Sequence, residues 1–118
     1  MPFQSPADGV LLPPYRILDL TGPEGVFCGK LLADYGAEVI KVEAPSDEKF
    51  RRSSGAIQWN RGKKSVILDL KTQKGLEQAY ELAGISDVVI ESFRPGVTES
   101  LGIDYLSLST DHPELVYA

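Results

Sequence analysis

The stretch from Arg16 to Pro45 constrains the fold of this chain more than any other part of it. It begins with a short apolar run, Ile17–Leu20, that is typical of a buried strand. A helical pattern follows, and the run Glu38–Glu43 then predicts a second strand. Strand, helix and strand within about 30 residues predict a βαβ unit. In a parallel sheet built from such units, the loop after the first strand lies at the edge where ligands bind.

The helix of this unit has recognisable start and stop signals. Thr21 and Glu24 have the spacing of a capping box, and Gly36 is a natural left-handed residue for the end of the helix. Five residues recur at helical spacing and predict a buried apolar face: Phe27, Cys28, Leu31, Leu32 and Tyr35. We therefore expect Cys28, the single cysteine, to be a buried packing residue rather than a nucleophile.

Three further strands and another capped helix follow along the chain. The strands are predicted at Ser65–Leu70, Asp87–Glu91 and Leu115–Ala118. Thr72 is the candidate cap of a helix that runs to Ala83, and Pro95-Gly96 has the sequence of a type II turn. The pattern predicts an α/β fold, a Rossmann-like and mostly parallel sheet with helices on both faces. Residues 1–14, which are rich in proline, are expected to form a flexible lead-in, and residues 15–118 the domain.

Charge and composition limit the classes of partner. The net charge is −5, so nucleic acid is not an expected partner. No apolar run approaches the ~18 residues of a membrane span, and the N-terminus lacks the pattern of a signal peptide, so we expect a cytoplasmic protein without a membrane partner. A single cysteine excludes an internal disulfide and a cysteine-based metal site, and no other metal-ligand cluster is visible in the sequence.

One part of this acidic chain is basic. Between Lys49 and Lys71 there are seven lysines and arginines but a single acid, Asp69. A local basic stretch suits a small polyanionic ligand, although a solvated loop explains the composition equally well.

A dinucleotide site is one alternative for the loop after the first strand. Gly22 and Gly25 lie in that loop, and Glu43 ends the second strand, where an acid that binds ribose is expected. The loop nevertheless departs from G-x-G-x-x-G. Pro23 lacks an N–H for a pyrophosphate, and Glu24 brings a negative charge. An NAD-dependent oxidoreductase domain therefore stays an alternative rather than the main hypothesis.

Several segments, taken together and in order, resemble the family III CoA-transferases (CaiB/BaiF), the group of formyl-CoA transferase, carnitine CoA-transferase and α-methylacyl-CoA racemase. The matching segments are Ile17–Thr21, Leu31–Glu43, Asn60–Val66, Leu68–Lys71, Glu91–Gly96 and Pro113–Tyr117. The likeness extends from about Arg16 to Ala118. It implies a Rossmann-like, CoA-binding N-terminal portion of a longer protein. A chain that stops at the end of a predicted strand is also expected to be a fragment.

The resemblance implies a set of residues that bind coenzyme A. They are Leu68, Lys71, Ser92, Phe93, Arg94 and the basic pair Lys63 and Lys64. Lys71 corresponds to the family lysine that contacts CoA, and Phe93 to the aromatic residue beside the CoA moiety. Several positions depart from the family pattern. Ser92 and Gly62 stand where asparagine is common, and Ala44 where some members have an arginine for the phosphates of CoA. The loop Thr21–Gly25 is one residue shorter than in formyl-CoA transferase and lacks its usual Gly-Pro pair.

The resemblance also implies an activity and partners. Family members form interlocked homodimers and move CoA between carboxylic acids, or epimerise an acyl-CoA, so an acyl-CoA and a carboxylic acid are the expected substrates. The catalytic aspartate of the family is expected beyond Ala118, and we found no recognisable partner for Asp19 that would make it a substitute. This chain alone is therefore expected to be inactive. A non-catalytic module that binds a nucleotide or CoA is the alternative from another class.

Overall fold

A computed structural model describes residues 12–118, and the sheet at its centre has five strands. The strands are β1 (Arg16–Leu20), β2 (Glu38–Glu43), β3 (Lys64–Ile67), β4 (Val88–Glu91) and β5 (Val116–Tyr117). Their order is β3-β2-β1-β4-β5, and every pair is parallel. The predicted α/β fold is confirmed, and the sheet of the described residues is entirely parallel. Most of the expected lead-in, residues 1–11, lies outside the described part of the chain.

Helices connect the strands, and several are short. They are α1 (Val26–Asp34), a 3₁₀ turn (Pro45–Asp47), α2 (Glu48–Arg51), α3 (Ser54–Trp59), α4 (Gln73–Gly84), α5 (Val97–Leu101) and α6 (Tyr105–Asp111). The helix predicted over Thr72–Ala83 is thus confirmed as α4. The polar segment between β2 and β3 is more ordered than its sequence indicates, because it folds into the 3₁₀ turn and two helices. Among the described residues, no helix is both long enough and apolar enough to cross a bilayer.

Each face of the sheet has its own apolar cluster. On one face, Leu18 and Val89 are buried together with side chains of α4 and α6, among them Ala79 and Leu108. On the other face, Ile17, Val39 and Ile90 are buried and Leu32 of α1 packs against them. Adjacent residues of one strand point to opposite faces, so the uninterrupted apolar runs of β1 and β4 supply both clusters. The prediction of helices on both faces is confirmed.

The end of α1 follows its sequence signals, but its beginning does not. Gly36 has φ +111° and its N–H donates to the carbonyl of Ala33 at 3.1 Å, as expected for a left-handed residue after a helix. The predicted capping box is wrong, since α1 begins at Val26 after Gly25, without a side-chain cap. Thr21 instead donates its hydroxyl to Asp19 Oδ1 at 2.6 Å, and this bond holds it at the end of β1.

The predicted buried face of α1 is partly wrong: Leu32 packs against the sheet as predicted, but other residues of that face do not. Cys28 is exposed, Phe27 and Tyr35 keep 50% and 45% of their surface accessible, and the buried residues of α1 are Val26 and Gly29. The helix is therefore rotated by about one residue relative to the prediction. Two apolar stripes lie side by side on it, and its periodicity alone could not decide which one faces the sheet.

Candidate functional site

A cleft of about 370 Å³ lies at the carboxyl ends of the strands. It is lined by residues at the ends of β1 and β2, by residues that follow β1, β2, β3 and β4, and by α5: Leu20, Thr21, Gly22, Val42, Ala44, Asp47, Leu68, Asp69, Leu70, Lys71, Phe93, Val97, Ser100 and Leu101. The strand order reverses between β1 and β4, and open α/β sheets bind ligands beside such a reversal, outside the carboxyl ends. The cleft therefore lies where this topology favours a ligand site.

Three residues expected to bind CoA line this cleft together. Leu68 is buried in its wall, Lys71 lies in the turn after β3, and Phe93 follows β4. The turn is well held, because the Lys71 N–H donates to Asp69 Oδ1 at 3.0 Å and the Thr72 N–H to the carbonyl of Asp69 at 3.0 Å. Lys71 itself is exposed. Lys71 and Phe93, which follow two different strands, thus lie at the same edge of the sheet.

Ser92 and Arg94 flank Phe93 and have different surroundings. Ser92 Oγ accepts a hydrogen bond of 2.8 Å from the Gly22 N–H, so it joins the loops that follow β4 and β1. Arg94 is exposed, and its carbonyl accepts from the Val97 N–H at 3.1 Å. Gly96, with φ +88° and ψ −16°, completes that turn, as the sequence predicted for a type II turn. Arg94 adjoins the cleft without lining it.

The basic pair Lys63 and Lys64 lies outside the cleft. The Lys63 side chain is 1% exposed, and its ammonium donates to Asp19 Oδ2 at 2.9 Å. Lys64 begins β3 and pairs with Glu38 at 2.6 Å, at the amino ends of the strands. The structure thus separates these two lysines from Lys71 and Phe93.

Lys63 belongs to a buried ionic cluster with Asp19 and Lys41. Asp19 has no exposed surface, and Lys41 Nζ lies 3.5 Å from its Oδ1. Burial lowers the pKa of Lys41, and the charge of Lys63 lowers it further, while the carboxylate of Asp19 opposes both effects. The partners of Asp19 are therefore two buried lysines and Thr21, which hold its carboxylate in place. Two cations surround this carboxylate, and in that position it serves to hold them rather than to react.

Sequence reasoning could have found half of this cluster. Asp19 pairs with Lys41 in the parallel register of β1 and β2, so the predicted βαβ unit already places the two side by side. Their opposite charges within two apolar runs were the signal. Lys63 could not be found in this way, because its approach depends on the path of the chain through α2 and α3.

The acid considered for a dinucleotide ribose is already engaged. Glu43 is 7% exposed and forms an ion pair with Arg51 of α2. Pro23 and Glu24 are exposed in the loop after β1. Arg51 already binds Oε2 of Glu43, and the loop departs from the dinucleotide pattern, so the geometry gives the NAD alternative no support.

Comparison with known proteins decides the family, because residues 12–118 match the model of CoA-transferase family III. The chain belongs to this family. It is 42% identical over 130 residues to a probable fatty acyl-CoA transferase of Mycobacterium tuberculosis, an alignment that covers 100% of this chain and 32% of that protein. A crystal structure of that protein has a TM-score of 0.82 and 46% identity, and it covers 87% of this chain and 30% of that one.

Other family members give the same result. The mouse α-methylacyl-CoA racemase is 39% identical over 104 residues, an alignment that covers 87% of this chain and 26% of the racemase. A crystal structure of a CaiB/BaiF family protein from Brucella suis has a TM-score of 0.78 at 35% identity, with 87% and 31% of the two chains covered. The chain therefore spans about a third or less of the length of these family members.

Proposed function

We propose that this chain forms the CoA-binding part of a family III CoA-transferase or acyl-CoA racemase. The observation that carries the proposal is the cleft at the carboxyl edge of the sheet, in which Lys71 and Phe93 converge from opposite sides of β1 and β2. The cleft combines a cation, an aromatic ring and an apolar wall. This combination matches CoA, a ligand with phosphates at one end and a long neutral arm.

Each part of the cleft has a role in this proposal. The exposed ammonium of Lys71 binds a phosphate of CoA, and the ring of Phe93 packs against the ligand. Leu68, buried in the wall, excludes water from the neutral part of CoA. Ser92 holds the neighbouring loop, and Arg94 supplies positive charge beside the cleft. Lys63 and Lys64 bind protein side chains instead, so this proposal gives them no contact with CoA.

The proposal for the whole protein follows from the family. An acyl-CoA and a carboxylic acid would be its substrates, a homodimer its assembly and the cytoplasm its compartment. The family aspartate that forms the acyl anhydride is expected after Ala118. In the chain itself, the buried Asp19 is held by Lys63 and Thr21 and is a poor nucleophile.

A calorimetric titration with CoA tests the binding site. Lys71→Ala should weaken binding by about 1–3 kcal/mol, the range for a hydrogen bond to a charged group. Lys74→Ala is the matched control, because Lys74 is an exposed lysine of α4 that does not line the cleft. Equal affinities for Lys71→Ala and Lys74→Ala would reduce Lys71 to a surface charge and remove the basis of the proposal.

A second assay separates binding from catalysis. The chain is incubated with an acyl-CoA and a carboxylate acceptor, and thioester exchange is followed by mass spectrometry against a heat-killed sample. We expect binding without thioester exchange, because the family aspartate is expected after Ala118 and the buried Asp19 is a poor nucleophile. Turnover above the control would show that catalysis does not depend on a downstream aspartate.

A further inference from the structure

The loop between β1 and α1, residues Thr21–Gly25 and called the β1–α1 loop below, forms part of the wall of the cleft. Thr21 and Gly22 of this loop line the cleft directly. No side chain caps the helix that follows. The position of this wall must therefore depend on bonds to other parts of the chain.

Asp19 supplies two of those bonds. Its Oδ1 accepts the Thr21 N–H at 2.9 Å and the Thr21 hydroxyl at 2.6 Å. Lys41 donates to the carbonyl of the same residue, Thr21. A single loop residue thus has its amide, its carbonyl and its hydroxyl bound to one buried cluster.

Lys63 holds the cluster and the far end of the loop together. Its ammonium donates to Asp19 Oδ2 at 2.9 Å, to the carbonyl of Val26 at 3.0 Å and to Asn60 Oδ1 at 3.1 Å. Val26 is the first residue of α1, directly after the loop. Three acceptors match the three hydrogens of an ammonium group, so Lys63 has no donor left for a ligand.

Gly29 shows how closely α1 rests on this ion pair. A Cβ at Gly29 would collide with Asp19 Oδ2 and would lie 3.0 Å from Lys63 Nζ. The absence of a side chain at this position lets the first turns of α1 lie directly over the buried charges. The helix and the β1–α1 loop are therefore positioned by the same cluster.

We propose that Lys63 is a positioning residue for CoA binding, which fixes the β1–α1 loop through Asp19 and Val26 and never touches the ligand. The proposal rests on the proposed function, since CoA is the ligand whose binding Lys63 improves. Lys63, which the resemblance implied as a residue that contacts CoA, thus receives a different role. The charge of Lys63 acts within the protein, and the cleft receives a rigid wall.

The test compares Lys63→Met with Lys74→Met, the exposed lysine of α4, in the complete chain. Amide hydrogen exchange is measured without ligand, and CoA affinity is measured by calorimetry at several ionic strengths. In Lys63→Met, the amides of Thr21 and Gly22 should exchange faster while the buried Val89 amide keeps its protection. CoA affinity should fall about five-fold, the effect of roughly one hydrogen bond.

The dependence of CoA affinity on ionic strength distinguishes a positioning residue from a residue that contacts the ligand. A lysine that touches the phosphates makes affinity sensitive to ionic strength, so Lys71→Ala should flatten that dependence. Lys63→Met should leave the dependence as steep as in the unaltered chain. A flattened dependence in Lys63→Met would mean that Lys63 binds the ligand directly, and this result would overturn the proposal.

Thr21→Val covers the case in which Lys63→Met does not fold. It removes the hydroxyl bonds to Asp19 and Lys41 and keeps the branched shape, and it should make the Gly22 amide exchange faster, as in Lys63→Met. Unchanged exchange in the loop would overturn the role of the cluster. Failure of the unaltered chain to bind CoA would overturn the proposed function itself, whereas binding with an unaffected loop would overturn the positioning role alone.

Discussion

Replacement of Lys63 by methionine is the perturbation that most directly probes the buried cluster. Methionine keeps a long apolar stem but removes the charge and three hydrogen bonds, to Asp19, Val26 and Asn60. Asp19 has no exposed surface, so water cannot replace the lost ammonium without entering the interior. The substitution therefore leaves the buried carboxylate of Asp19 with one of its two ammonium partners, Lys41.

The expected cost follows from this geometry. Removal of one partner of a buried ion pair costs about 3–5 kcal/mol. Lys41 stays 3.5 Å from Asp19 Oδ1 and keeps part of the charge balanced, so we expect the lower end, about 3 kcal/mol. Lys64→Met is the matched control. Lys64 is the next residue along the chain, its side chain is 71% exposed, and its ammonium pairs with Glu38 at the surface. Exposed pairs contribute little, and the control should be almost neutral.

The assay is urea denaturation followed by the fluorescence of Trp59, the single tryptophan. The free energy of unfolding is obtained for each variant by linear extrapolation. If Lys63→Met and Lys64→Met differ by less than about 0.5 kcal/mol, the usual range of surface substitutions, the cluster does not hold the fold in the way described.

Three further predictions concern stability. Gly29→Ala should destabilise the chain by about 1–3 kcal/mol, because the added Cβ collides with the ion pair of Asp19 and Lys63, and urea denaturation measures the loss. In the same assay Gly84→Ala, where open space surrounds the glycine, should stabilise the chain by up to about 1 kcal/mol through helix propensity. Thr72→Ala should cost about 1 kcal/mol, because Thr72 Oγ1 accepts the Gly75 N–H at 3.0 Å; thermal unfolding that matches the unaltered chain would contradict this. Burial lowers the pKa of Lys41 in the folded state, so the unfolded chain binds more protons between that pKa and the ordinary lysine value. Stability should rise with pH across this window, and the rise should disappear in Lys41→Met when urea midpoints are compared.

The sequence predicted the features that local chemistry determines. The strands, the helix capped by Thr72 and the turn at Gly96 depend on short patterns, and each is present. Because parallel strands place their carboxyl ends at one edge, the approach of Lys71 to Phe93 also followed from the predicted topology.

The features that the sequence did not predict depend on tertiary contacts. The rotation of α1 depends on Gly29, which must lie over a buried ion pair. Lys63 reaches Asp19 across 44 residues of chain, and no periodic pattern records that approach. Thr21 has the spacing of a helix cap, but Asp19 binds it first and leaves α1 uncapped.

Binding of CoA at the carboxyl edge of the sheet is tested most directly by mapping amide chemical shifts during a CoA titration. The method detects weak binding, which is expected if other parts of the family's longer proteins complete the pocket. We predict saturable shifts of Gly22, Lys71 and Phe93, all beside the cleft. Shifts confined to the amino ends of the strands, around Glu38 and Asp87, or no shifts at any CoA concentration, would contradict it.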